Sequence, residues 1–237
     1  MQVGELNMEK NIIILFILIV IAWWLLKTPS FTDSVTNTEI KYQIRYPTGS
    51  SDDDLPIVIA LHGNGDTVEN FYKHTFEGSG VHARVILIEA PDKYWPYIQH
   101  ELQRYSSTIA SFAEYVYQEY SPSHKPLLLG YSGGGVVAYY SALTECNRYS
   151  LIMPISGMLR KDILPDNINT DYSCKVKAYH GKTDNVVSFS GGEFAISEIQ
   201  KHTNSAELVS VDGDHHVIFR DYKKMILDDI KYQLVTD

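Results

Sequence analysis

The chain lacks an excess of positive charge: 20 lysines and arginines face 29 aspartates and glutamates among 237 residues, a formal net charge of −9. With no basic stripe to offset an acidic surface, no nucleic-acid partner is expected. Internal repeats and low-complexity tracts are also missing, which leaves one globular domain with a sizeable core and something extra at one end. No three ligand-type side chains fall at a metal-like spacing, so neither a metal nor another cofactor is expected. The triplet Asp52-Asp53-Asp54 reads as a solvated loop. Cysteine is scarce, with only Cys146 and Cys174, so at most one disulfide can form.

Long apolar runs are rare as well, and the one exception is at the front. Ile12 to Leu26 is an unbroken run of fifteen apolar residues between Lys10 and Lys27. At 1.5 Å per residue it covers roughly 22 Å, short of a ~30 Å hydrocarbon core unless the flanking lysines snorkel. No Ala-x-Ala-like cleavage site follows it, and the run has no polar face suited to a core helix. The preferred reading of 1–27 is an uncleaved signal anchor, with a cleaved signal peptide as the competing one. Residues 28–38, rich in Ser, Thr and Asp, read as a polar linker, and 39–237 as the globular domain.

Beyond the linker, strand and helix patterns alternate, which predicts an α/β fold: a mostly parallel sheet with helices on both faces. Strands are expected at Glu39–Tyr46, Pro56–Leu61, Arg84–Glu89, Leu127–Leu129, Ser150–Ile155, Val176–Tyr179 and Glu207–Val211. Helices are expected over 100–120, 134–143 and 217–234.

The strand at Leu127–Leu129 runs into Gly130-Tyr131-Ser132-Gly133-Gly134, the context of a nucleophile elbow. The sharp turn strains the serine, and side chains in place of the flanking glycines would strike the neighbouring strand and helix. A serine hydroxyl needs a base, an acid that orients the base, and donors for an oxyanion. Those partners follow Ser132 in the order Asp, then His. The strand at Val176 leads into His180-Gly181-Lys182-Thr183-Asp184, and the last strand leads into Asp212-Gly213-Asp214-His215-His216. Each candidate thus falls at the carboxyl end of a strand, where open parallel sheets build their sites. His62 and His180 also sit at strand ends, each before a glycine. They are expected to bond loop backbone rather than to react. Backbone N–H groups of Asn64 and Gly133 are the expected oxyanion donors, worth on the order of 3 kcal/mol each in the transition state. Because the Asn64 donor is main chain, Asn64→Ala is expected to be mild.

These residues resemble the α/β-hydrolases, and within them the phospholipase/carboxylesterase branch that includes acyl-protein thioesterases. The resemblance rests on Leu61-His62-Gly63-Asn64-Gly65-Asp66-Thr67, on the elbow pentapeptide and on His180 to Val187, and covers roughly residues 39 to 235. It implies a serine hydrolase of carboxylic esters or thioesters that works through an acyl-enzyme, on a fold with no large cap domain. That branch usually ends in Gly-x-Gly-His, which selects His216 as the base. Other hydrolases use Gly-Asp-His, which selects His215, and His216 is preferred here. The Gly-rich, Trp-containing stretch that the branch often carries is missing from residues 91–99.

Tyr131, Tyr94, Trp95 and Met158 are candidate walls of an open, modestly apolar cleft for small-molecule or lipid esters and thioesters. A serine peptidase on the same scaffold and a non-catalytic binding protein are the alternatives. If the strands at Ser150 and Val176 are neighbours, Cys146 and Cys174 meet at the sheet edge opposite the site. Two free buried thiols are the competing reading. A bridge would imply an oxidising compartment, and with it a membrane-anchored or secreted domain outside the cytoplasm. Oligomeric state is not legible in the sequence.

Overall fold

A computed structural model describes Ile14, residues 28–47 and residues 54–236. Among these residues no helix is long and apolar enough to cross a membrane. The run from Ile12 to Leu26, apart from Ile14, lies outside the described residues, as do Asp52 and Asp53.

Eight strands form one sheet: β1 (Ser30–Asp33), β2 (Thr38–Arg45), β3 (Ile57–Leu61), β4 (Arg84–Ile88), β5 (Leu127–Tyr131), β6 (Leu151–Ile155), β7 (Lys175–Gly181) and β8 (Ala206–Val211). Their order is β1-β2-β4-β3-β5-β6-β7-β8. The β1–β2 and β2–β4 pairs are antiparallel, and every later neighbour is parallel. The central strands are apolar without interruption because both faces are covered. Ile57, Ile59 and Leu61 of β3 join one core, while Val58 and Ala60 join the other. The first core is closed by α2 (Gln99–Tyr120), α3 (Gly133–Thr144) and α4 (Phe189–Gln200). The second is closed by α1 (Val68–Thr75), α5 (Val217–Asp221) and α6 (Lys223–Thr236).

Two expectations need correction. Residues 28–38 are not a linker, since β1 pairs with β2 from Ser30↔Lys41 to Asp33↔Thr38. The polar residues that resemble a linker build the hairpin turn instead. The Asp33 carboxylate accepts from Val35 N at 3.1 Å and from the Thr36 hydroxyl at 2.8 Å. Asn37 turns the chain at φ 51°. Phe31 then packs on Phe112 of α2 with ring centroids 5.3 Å apart, which joins the hairpin to the core. The helix expected over 217–234 is two helices, broken at Tyr222 (φ −116°, ψ 11°).

The two cysteines are bonded. Cys146 follows α3 and Cys174 precedes β7, with Cα atoms 5.4 Å apart. Leu151 of β6 pairs with Lys175 of β7, so the bridge lies at the amino-terminal edge of the sheet.

Candidate active site

Ser132 sits between β5 and α3 at φ 52° and ψ −113°, a conformation that side chains rarely adopt. The surroundings over-determine it. Its N–H donates to Ile155 O at 2.9 Å, and its carbonyl accepts from Val136 N at 3.1 Å. Side chains on the flanking glycines are excluded by backbone. A Cβ on Gly130 would fall 2.1 Å from Gly134 O, and one on Gly134 would fall 2.5 Å from Leu61 O.

The Ser132 hydroxyl lies 3.0 Å from His215 Nε2, and His215 Nδ1 lies 2.6 Å from Asp184 Oδ2. The carboxylate can only accept, so Nδ1 carries the imidazole proton and Nε2 is left bare toward Ser132. Both Asp184 and His215 are buried, and Asp184 Oδ1 also accepts from Val186 N at 2.9 Å and Val187 N at 2.8 Å.

The preference for His216 is corrected by this geometry. Its Nδ1 meets the Tyr131 hydroxyl at 2.8 Å, and its ring stands edge-on to His215 with centroids 5.2 Å apart. The loop after β8 decides between the two histidines. Asp214 turns it by accepting from His216 N at 3.0 Å, and Gly213 adopts φ 139°. Arg220 of α5 holds the Asp214 carboxylate at 3.1 Å and keeps it below the usual carboxylate range.

Asn64, in the loop after β3, lies against Gly133, where a Cβ would fall 2.2 Å from Asn64 Oδ1. The Asn64 side chain and the Gly133 backbone are therefore neighbours. The mildness expected of Asn64→Ala is corrected, because the side chain works too. Its Oδ1 accepts from Trp95 N at 2.8 Å, and its Nδ2 donates to the Tyr97 hydroxyl at 3.3 Å. His62 ties the same loops, with Nδ1 on Gly63 O at 2.7 Å and Nε2 accepting from Ala90 N at 3.1 Å.

A cleft of about 990 Å³ opens over Ser132, lined by Tyr131, Met158, Tyr97, Arg160, Val187 and Phe219 among others. Tyr131 and Met158 stand where expected, but Trp95 and Tyr94 do not. Trp95 is buried and donates Nε1 to His62 O at 2.8 Å, so it braces the loop. Tyr94 is 60% exposed and does not line the cleft, its hydroxyl standing beside Gly65 at the edge. Tyr97, from the Tyr94-to-Tyr97 stretch that was expected to line the cleft, does line it, whereas Arg160 and Phe219 were not anticipated, since each is single and carries no motif. Burial pushes the Tyr131 and Tyr97 hydroxyls upward, and Asp184 adds to the effect at Tyr131. Both remain neutral donors at physiological pH.

The sheet order, the strained serine between strand and helix, and partner loops at strand carboxyl ends define an α/β-hydrolase. Residues 88–234 match the phospholipase/carboxylesterase family, to which the chain belongs. It is a serine hydrolase of the esterase kind. No curated protein matches it in sequence. Among solved structures it is similar to a carboxylesterase from Mesorhizobium loti, with TM-score 0.67, 14% identity, and 89% of this chain and 99% of that one covered. A Bacillus cereus carboxylesterase gives TM-score 0.63 and 15% identity over 81% and 94% of the two chains. An S-formylglutathione hydrolase from Staphylococcus aureus gives 0.63 and 14% over 88% and 98%. At these identities the likeness is one of fold.

Proposed function

We propose that the protein hydrolyses carboxylic esters or thioesters through an acyl-enzyme on Ser132, with His215 as base and Asp184 as its orienting acid. The observation that carries this reading is the unbroken relay from Ser132 Oγ through His215 to Asp184, at 3.0 and 2.6 Å. As Oγ attacks the substrate carbonyl, its proton passes to His215 Nε2, and buried Asp184 stabilises the imidazolium. The amides of Asn64 and Gly133 receive the negative oxygen. His215 then returns the proton to the departing alkoxide or thiolate. Water, deprotonated by the same imidazole, releases the acid. The cleft favours amphiphilic substrates, with an apolar wall of Met158, Val187 and Phe219 for the acyl chain.

Fluorophosphonate labelling tests the nucleophile: wild type should label, and Ser132→Ala should not. A p-nitrophenyl ester series beside matched thioesters should give turnover that peaks at short to medium chains. Label retained by Ser132→Ala would overturn the assignment.

We also propose that this domain works outside the cytoplasm. The Cys146–Cys174 bond supports an oxidising compartment, while the anchor rests on the sequence of residues 12–26 alone.

A further inference from the structure

His180 ends β7 with its side chain wholly buried, and its Nε2 lies 3.2 Å from Asp184 Oδ2, the same oxygen that holds His215. Nε2 also lies 3.0 Å from Val187 O, so both neighbours are acceptors and Nε2 must carry the proton. Its other nitrogen, Nδ1, is buried with no hydrogen-bond partner among the described residues. Gly192 of α4 closes that side, where a Cβ would fall 2.6 Å from Nδ1, and Phe189 packs edge-on at 5.6 Å. A second proton would therefore be stranded in an apolar wall. Burial accordingly holds His180 below the ordinary histidine range, despite the nearby carboxylate. Geometry and burial thus favour the neutral ring, with its proton on Nε2.

Resting on the triad reading above, we propose that His180 is a positioning residue that completes the donor set of Asp184 and tunes His215 as a base. Three N–H groups donate to this one carboxylate, Val186 N and Val187 N to Oδ1 and His215 Nδ1 to Oδ2, and the His180 Nε2–H that bonds Val187 O also faces Oδ2 at 3.2 Å. Each draws on the same negative charge. Removing the His180 donor leaves more charge facing His215, which favours its imidazolium. Catalysis needs His215 neutral, so the acid limb of the pH–kcat/KM profile moves to higher pH. The other groups around this pair stay in place. They are the Tyr131 hydroxyl from β5, His216 and Asp214 from the loop after β8, Arg220 of α5 bound to Asp214, and Arg160 across the cleft.

The test compares His180→Phe, which keeps the ring but removes the donor, with His180→Gln, whose amide reaches about as far as Nε2. In His180→Phe, kcat/KM should fall roughly 10-fold, the lower end for a lost hydrogen bond to a charge. The acid limb should rise by about 0.5 pH unit, with KM little changed. His180→Gln should restore both. If the phenylalanine variant does not fold, His180→Asn takes its place with the same expected shift, since its amide stops near Nδ1. An unmoved acid limb in the donor-less variant, or a glutamine variant that behaves like it, overturns the proposal whatever the rate. Fluorophosphonate labelling of wild type and Ser132→Ala, run alongside, reports failure of the triad itself separately.

Discussion

Adjacent histidines sit in unlike surroundings here. His215 is buried between Ser132 and Asp184, while His216 lies beside it, exposed, with its ring tied to the Tyr131 hydroxyl. His215→Ala should lower kcat by on the order of 10,000-fold, and His216→Ala by less than about ten-fold. Steady-state kinetics on one ester substrate, with folding checked by circular dichroism, measures both. Equal losses would refute the assignment. The sequence narrowed the base to two residues and no further. Turning one imidazole inward instead of its neighbour takes a one-residue change in loop path. Gly213 at φ 139° and the Asp214–Arg220 pair set that path. Arg220 lies in a later helix, so no pattern local to the histidines records it.

At the scale of elements, the elbow was legible because its chemistry is local. An apolar strand, a serine flanked by glycines and a small-residue helix all fall within about twenty residues. Gly130→Ala places a methyl against Gly134 O, and Gly134→Ala places one against Leu61 O. Neither neighbour can give way without moving Ser132, so each variant should lose about 3 kcal/mol of stability and most of its activity. Urea unfolding and fluorophosphonate labelling measure the two effects, and an Ala variant with wild-type labelling would sink the argument. The β1–β2 hairpin was hidden because its Ser, Thr and Asp residues serve as turn formers, a role that composition shares with linkers. Tyr94 and Trp95 were misplaced for a related reason. The segment was correctly set after β4, but which ring faces outward follows from the contact of Trp95 with His62 rather than from residue type.

For the whole molecule, the sheet separates chemistry from fastening. Ser132, Asp184 and His215 lie at the carboxyl ends of β5, β7 and β8, and the disulfide lies at the opposite edge. A bridge that closes a 28-residue separation restrains the unfolded chain by about 3.6 kcal/mol in the loop-entropy account. The double variant Cys146→Ser/Cys174→Ser should therefore unfold at lower denaturant by that amount while keeping kcat near wild type. Mass spectrometry of native protein with both thiols free to alkylate would count against the bridge and the compartment proposed from it.

By itself the sequence determined the strand-and-helix alternation and the strand–serine–helix context of Ser132, and it left the base open between two histidines and the cysteines open between a bridge and two free thiols. These depend on apolar periodicity and on residue types at short range. Only the tertiary structure decided that His215 faces Ser132, that Trp95 is a brace, that Asn64 ties its loop by its side chain, and that His180 shares the carboxylate of Asp184. Those outcomes depend on where loops from distant strands pass one another within about 3 Å. Such separations follow from how the whole chain packs, and no stretch of residues encodes them alone.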